Sequence, residues 1–170
     1  MVPMIENKTQ FEVPVWDGQK TGWFYDHRLN RERINRHVKG KRVLDICSYA
    51  GGWGVQAANA GAQQVTCVDV SKQALNWVEN NAQLNGVADN VTCIQGDAFT
   101  VMEKLIEEGQ LFDVVILDPP AFIPKRKDHS HLDNHVNNII LLDPNGDFAG
   151  IFRPPFDISR LSLTYQSVTN

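Results

Sequence analysis

From Arg42 to Asp118 the chain repeats one local pattern, and that repetition constrains its fold more than any other feature. Four short apolar runs, RVLDI (42–46), QVTCVD (64–69), VTCIQ (91–95) and FDVVILD (112–118), alternate with stretches whose apolar residues recur at helical spacing. Such alternation predicts a parallel sheet with right-handed crossovers and helices on its faces. The runs are nearly continuous in apolar residues, which suits strands buried on both sides. Ser71 is placed to cap a helix carrying Ala74, Leu75, Val78 and Ala82 on one face and closed by Asn85-Gly86. A second helix carries Phe99, Met102, Leu105 and Ile106 and stops at Gly109.

The flanks follow other rules. Upstream, FEVPVW (11–16) alternates as an edge strand does, with Pro14 arguing against a central position. A glycine-punctuated loop, DGQKTGWFYDHR, leads into a helix expected from about Asn30 to Val38. Downstream, residues 123–138 are polar and rich in histidine. Two apolar runs then flank Asp143-Pro144-Asn145-Gly146, a hairpin signal, and DISRLSLTYQSV reads as a short helix.

At 170 residues the chain suffices for one domain with a substantial core. The polar start MVPMIENKTQ lacks the apolar segment of a secretory signal, and the runs VVIL and IILL are too short to span a bilayer, so the cytoplasm is the expected location and no membrane partner is expected. Cys47, Cys67 and Cys93 form no CxxC pair and read as reduced, buried thiols, a reactive thiol being the alternative. A net charge of −4 excludes a general polyanion binder. Between Arg28 and Arg42, however, seven basic residues face a single acid, Glu32. That segment is either a phosphate-binding patch or a solvated helix face.

The chemistry concentrates where the strands end. VLDICSYAGGWG (43–54) runs from a strand into a loop whose glycines allow close approach of a ligand to the backbone. Asp69 follows Gly51 by 69 − 51 = 18 residues, near the spacing at which an acid meets ribose hydroxyls. The glycines read G-G-W-G, which does not match the G-x-G-x-x-G of nicotinamide cofactor sites. Asp45, Asp69, Asp97 and Asp118 lie at the ends of the four successive strands. Helix capping accounts for one or two of them. A nucleoside carrying an amino acid accounts for more: Asp69 would accept from ribose hydroxyls, Asp97 from an adenine amino group, and Asp45 would face an ammonium group. That ligand is S-adenosylmethionine, and the fold class expected is a Rossmann-like α/β core.

GQKTGWFYDHRLNR, VLDICSYAGGWGVQAA, CVDVSKQAL, ENNAQLNGV and VVILDPPAF, in that order, resemble the bacterial large-subunit ribosomal RNA cytosine-5 methyltransferases, over roughly Phe11 to His129. The resemblance implies S-adenosylmethionine as cofactor and 23S ribosomal RNA as partner. It further implies that Asp45, Ser48, Gly51, Gly52, Asp69, Asp97 and Asp118 line the cofactor site, covered by the loop bearing Tyr25 and Arg28. Asp118, with Pro119-Pro120, would position the target base. That family carries an N-terminal RNA-binding domain of the PUA type and a nucleophilic cysteine in a later Ser-Cys-Ser motif. Neither falls within this chain, and Ala121 occupies the position after Asp-Pro-Pro where other RNA cytosine-5 methyltransferases have a cysteine. A truncated, impaired enzyme is therefore expected, with a non-catalytic cofactor- and RNA-binding module as the alternative.

The end of the chain, NHVNNIILLDPNGDFAGIFRPPFD, resembles the last part of Sco-type copper chaperones, in which a histidine at the place of His135 is a copper ligand. The partner CxxxC is missing, so His129, His131 and His135 are either a weak metal site or solvated side chains. The organisation expected is an N-terminal strand, covering loop and basic helix (1–40), a methyltransferase core (41–129), and a tail of different origin (130–170) in a chimeric chain.

Overall fold

The computed structural model describes residues 1–15 and 22–118, and the backbone of two further strands at 140–142 and 148–151. In chain order these hold β1 (Val2–Glu6), β2 (Thr9–Val13), α1 (Arg28–Ile34), β3 (Arg42–Ile46), α2 (Gly54–Asn59), β4 (Gln64–Asp69), α3 (Lys72–Leu84), β5 (Val91–Gln95), α4 (Ala98–Glu107), β6 (Val114–Leu117), β7 (Ile140–Leu142) and β8 (Phe148–Ile151).

Six of the strands form one sheet in the order β5-β4-β3-β6-β7-β8. The first four are parallel, and β7 and β8 run antiparallel at the other edge. The chain steps outward from β3 to β5 and then returns to the opposite side of β3 as β6. The carboxyl ends of β3 and β6 therefore flank the switch point, where sheets of this kind leave a crevice for ligands. The expected hairpin around Asp143–Gly146 is matched by the antiparallel β7–β8 pair; the expected helix after Asp157 lies outside the described residues.

Strand alternation divides the core in two. Val43, Val65 and Cys67 point into a cluster built with α2, α3 and the N-terminal strands. Leu44, Ile46 and Val68 point the other way, onto Val101 and Leu105 of α4. Burial on both faces holds for β3 and β4, whereas β5, at the sheet edge, is half exposed. On α4 the structure corrects the expected face. Only Val101 and Leu105 are buried, with Met102 partly so, while Phe99 is 47% and Ile106 75% exposed. A single helix against one sheet face buries an i, i+4 stripe, too narrow to include both of those residues.

Helix ends follow the local signals. The Ser71 hydroxyl accepts the Ala74 N–H at 3.2 Å, as expected of a cap. Helices α2, α3 and α4 each end on a glycine with positive φ, Gly61, Gly86 and Gly109, and each pairs the next N–H back to the helix: Ala62 to Ala57, Val87 to Ala82, Gln110 to Leu105. This is the Schellman closure. Helix α1 differs from expectation, ending at Ile34, because the next N–H groups of Arg36 and His37 bond three residues back and tighten the chain into a turn.

The N-terminus holds the largest departure. MVPMIENKTQ contains a strand, β1, paired with β2 as a separate antiparallel hairpin across an Asn7-Lys8 turn with φ of 50° and 68°. Both central residues being left-handed identifies a two-residue primed turn. The edge of β2 is covered by a helix. The amide of Asn81 accepts from Glu12 N–H at 2.8 Å, and that of Asn85 accepts from Gln10 N–H at 2.9 Å, so two side chains one helical turn apart replace a neighbouring strand.

Gly54 fits where nothing larger does. A Cβ there would lie 2.5 Å from Cys67 Sγ and 2.9 Å from Asp45 Oδ2. Gly54→Ala is expected to lower stability by about 1–3 kcal/mol despite the better helix propensity of alanine. Urea denaturation with an unchanged midpoint would contradict this packing.

Candidate functional site

The loop after β3 adopts a conformation its sequence does not advertise. Cys47, Tyr49 and Gly51 have φ of 64°, 49° and 81°, so left-handed residues alternate through the loop although only one is glycine. Two non-glycine residues held there are strained, and such strain persists only where surrounding contacts over-determine it. Those contacts come from β4. Ser48 N–H bonds Val68 O at 3.0 Å, the Ser48 hydroxyl donates to the same oxygen at 3.2 Å, and Tyr49 N–H bonds Asp69 Oδ2 at 2.9 Å.

The four strand-end aspartates do different work. Asp45 is fully buried beneath the loop, and its Oδ2 accepts the Gly54 N–H at 2.8 Å. Asp69 is partly exposed; its second oxygen accepts the Ser71 N–H at 2.9 Å. Asp97 caps α4, one oxygen accepting from both Phe99 and Thr100 N–H at 3.1 Å. Asp118, tied to β3 by its N–H on Ile46 O, accepts the indole N–H of Trp53 at 2.9 Å. Capping thus describes Asp97 locally, Asp45 takes the first N–H of α2 from nine residues away, and capping of a following helix describes neither Asp69 nor Asp118.

Residues 22–31 pack across the glycine loop. Trp23 and Arg31 approach Gly52 so closely that a Cβ there would meet Trp23 at 3.2 Å and Arg31 at 3.5 Å. Phe24 meets Tyr49 edge-on at 5.8 Å, and His27 lies 5.8 Å from the Trp53 ring with Nε2 4.0 Å from Asp118 Oδ1. This segment is pinned from behind by Glu6 of β1. One Glu6 oxygen accepts from Arg31 Nε at 2.7 Å and Gln56 at 2.8 Å, the other from Trp23 Nε1 at 3.0 Å and Arg31 Nη2 at 3.1 Å. Arg31 lies 5.0 Å from the Trp23 ring centre and 5.5 Å from that of Trp53, a cation held against two aromatic faces. Tyr25 and Arg28 stand exposed on the same segment.

The basic segment is smaller than its composition suggests. Arg31 is consumed by the buried pair with Glu6, and Arg42 bonds Gln110 and lies over Phe112. Arg28, Arg33, Arg36 and Lys39 remain exposed, Arg36 with a long contact of 3.9 Å to Glu32. All three thiols are free; Cys67 is buried as expected, whereas Cys47 and Cys93 are only partly buried. Burial, and then the surrounding aspartates, push Cys47 up to about 12; burial first and then Glu79 push Cys93 up to about 11, and burial keeps Cys67 well above its ordinary value.

Sequence reading missed Glu6, Trp23, Arg31 and Trp53, whose roles depend on partners far along the chain. It also missed Val70 and Phe99, 65% and 47% exposed just after Asp69 and Asp97. A large apolar residue within two positions of Asp69 and of Asp97 was the available signal. Pro119, Pro120, His129, His131 and His135 lie outside the described residues.

The strand order and the strained loop at its switch point define a nucleotide-cofactor-binding α/β domain. A family model described as S-adenosylmethionine-dependent methyltransferase matches residues 2–141, and the chain belongs to that family. The match overlaps the stretch expected to be a foreign tail, and the copper-chaperone resemblance of the C-terminus is not supported by it. A candidate ribosomal RNA large subunit methyltransferase of Methanocaldococcus jannaschii is 52% identical over 124 residues, 72% of this chain and 32% of the relative. Ribosomal RNA large subunit methyltransferase I of Klebsiella pneumoniae is 34% identical over 152 residues, 86% of this chain and 38% of the relative. The chain thus spans about a third of the length of these curated relatives. A candidate methyltransferase crystallised with S-adenosylhomocysteine superposes with a TM-score of 0.67 at 28% identity, covering 74% of this chain and 34% of that one. Among the described residues no helix is long and apolar enough to cross a membrane.

Proposed function

We propose that this chain binds S-adenosylmethionine at the carboxyl ends of β3, β4 and β5 and forms the methyl-transferring part of a ribosomal RNA methyltransferase, nominally directed to cytosine-5 of 23S RNA. The observation that carries the reading is the convergence of the strained 47–52 loop with Asp45, Asp69 and Asp118, closed over by residues 22–31. The residues fit such a cofactor. Each Asp69 oxygen uses one lone pair on a backbone N–H and keeps another for a ribose hydroxyl. Asp97 keeps its Oδ2 for an amino group, and the exposed Val70 and Phe99 supply apolar faces for a purine. Buried beneath the loop, Asp45 Oδ1 has no hydrogen-bond partner among the described residues. Tyr25 and Arg28 belong to the covering segment, and Ser48, Gly51 and Gly52 to the loop beneath.

When bound, the cofactor supplies an electrophilic methyl group on a sulfonium. The protein's part is alignment and exclusion of water. Trp53 orients the Asp118 carboxylate by its N–H, leaving Asp118 Oδ1 toward His27 and the mouth of the site, where it would accept from an exocyclic amine of a target base. Cytosine carbon-5 also needs a thiolate at carbon-6 before it attacks. Burial and the surrounding aspartates push Cys47 up to about 12, so it is held as a thiol at neutral pH. Incubation of the chain with labelled cofactor and unmodified 23S RNA is therefore expected to give little or no 5-methylcytosine. Robust product that disappears in Cys47→Ser would overturn that expectation.

RNA contact is assigned to the exposed Arg28, Arg33, Arg36 and Lys39. Binding is expected to fall steeply with salt, each phosphate contact adding about 0.7–0.9 to the log–log slope. Arg33→Glu with Arg36→Glu should flatten that slope and weaken RNA binding while leaving cofactor affinity intact. A salt titration indifferent to both changes would remove the patch from the reading.

A further inference from the structure

The glycine loop closes over a carboxyl group whose surroundings do not suit a charge. Asp45 is 0% exposed, one oxygen holds the Gly54 N–H, and the other is buried with no hydrogen-bond partner among the described residues. An ionised oxygen without a donor in a dry site costs far more than a protonated one. The groups facing it add to this. Asp69 from β4 and Asp118 from the end of β6 repel its charge, and the surrounding thiols Cys47, Cys67 and Cys93 are themselves kept protonated by burial. Among the described residues the cation that favours its ionisation is Arg31 of α1, already bound twice by Glu6. Burial first, then the two acids, hold the Asp45 carboxyl well above its ordinary range against the Gly54 hydrogen bond.

We propose that Asp45 exchanges its proton against the charge of the bound cofactor: a cation seated above the glycine loop expels that proton to solvent, and loss of the cation restores it. The inference rests on the reading of the loop as the S-adenosylmethionine site. Two ligands of nearly equal shape then differ at this carboxyl. S-adenosylmethionine carries a sulfonium in addition to its ammonium and carboxylate, whereas its demethylated product carries a neutral thioether. Binding the first leaves a carboxylate facing a cation; binding the second leaves more of the carboxyl protonated. The site thereby senses by charge whether the methyl group is still present, and its affinity for the charged form rises with pH relative to that for the neutral form.

The test is calorimetric titration of the protein with S-adenosylmethionine and, separately, S-adenosylhomocysteine at neutral pH, each in two buffers of different ionisation enthalpy. The dependence of heat on buffer counts the protons exchanged. The expected result is a clear fraction of a proton released in excess by S-adenosylmethionine, and loss of that excess in Asp45→Asn, whose amide keeps the shape and the acceptor for Gly54. Equal proton counts for the two ligands in the wild-type protein overturn the proposal, and this comparison decides even where Asp45→Asn does not fold. An excess that persists in a folded Asp45→Asn also overturns it, by assigning the proton elsewhere. Absence of binding by either ligand instead defeats the assignment of the cofactor site, an outcome distinct from equal counts.

Discussion

Replacing Glu6 by alanine is expected to destabilise the protein by about 3–5 kcal/mol at neutral pH, the scale for removing one partner of a buried ion pair. Glu6 and Arg31 are each 3% exposed, and four donor hydrogen bonds converge on the one carboxylate. Without it, a guanidinium, an indole N–H and a glutamine amide lose their acceptor together. Because Arg31 also packs on Gly52 and Trp53, the damage extends to the covering segment and the loop beneath. The effect has a signature in pH. Burial alone would raise the Glu6 pKa; hydrogen bonds from Arg31 and Trp23, with the Arg31 charge, outweigh it and hold the carboxyl below its usual range. Its contribution is therefore complete above the unfolded value of about 4.3 and is lost as pH falls through the lower folded value. Denaturation of wild type and Glu6→Gln across that range should show the two curves converging in acid. A gap that stays constant with pH would mean that charge is not what Glu6 provides.

The second large effect concerns binding. Asp69→Ala is expected to weaken S-adenosylmethionine binding by about 1.5–3 kcal/mol, the scale of hydrogen bonds to a charged group, or roughly 10- to 150-fold in Kd. Part of that loss is indirect, since Asp69 also holds the Tyr49 and Ser71 N–H groups and with them the left-handed turn of the loop. Asp69→Asn separates the parts. Its one remaining oxygen can keep a loop N–H but cannot serve two ribose hydroxyls as well, so an intermediate affinity is expected. Calorimetry giving equal affinities for wild type and Asp69→Ala would place the ribose elsewhere.

The Rossmann-like core was legible in the sequence because its signals are local. Apolar runs of strand length, Ser71 as a cap, and glycines at 86 and 109 act within a few residues of themselves, and each is used as its chemistry requires. The strand-end aspartates were legible for the same reason, as an acid repeated at one place in a repeating unit. Where a signal needed a partner, reading from sequence went astray. Phe99 and Ile106 fit a helical stripe, yet only packing decides which part of a stripe meets the sheet. Lys8, Cys47 and Tyr49 carry no mark of positive φ; the turn and the β4 contacts impose it.

The sequence by itself determined the class of fold, the alternation of elements from Arg42 to Asp118 and the acids at the strand ends, since backbone preference and hydrophobic period are properties of short stretches. Tertiary structure alone decided what those acids do. It buried Asp45, opened Asp69 to one side of a strained loop, and joined Asp118 to Trp53. It also turned one of seven clustered basic residues, Arg31, into the buried partner of Glu6, 25 residues away. The physical reason is that desolvation and ion pairing depend on distances through space, which sequence separation does not encode.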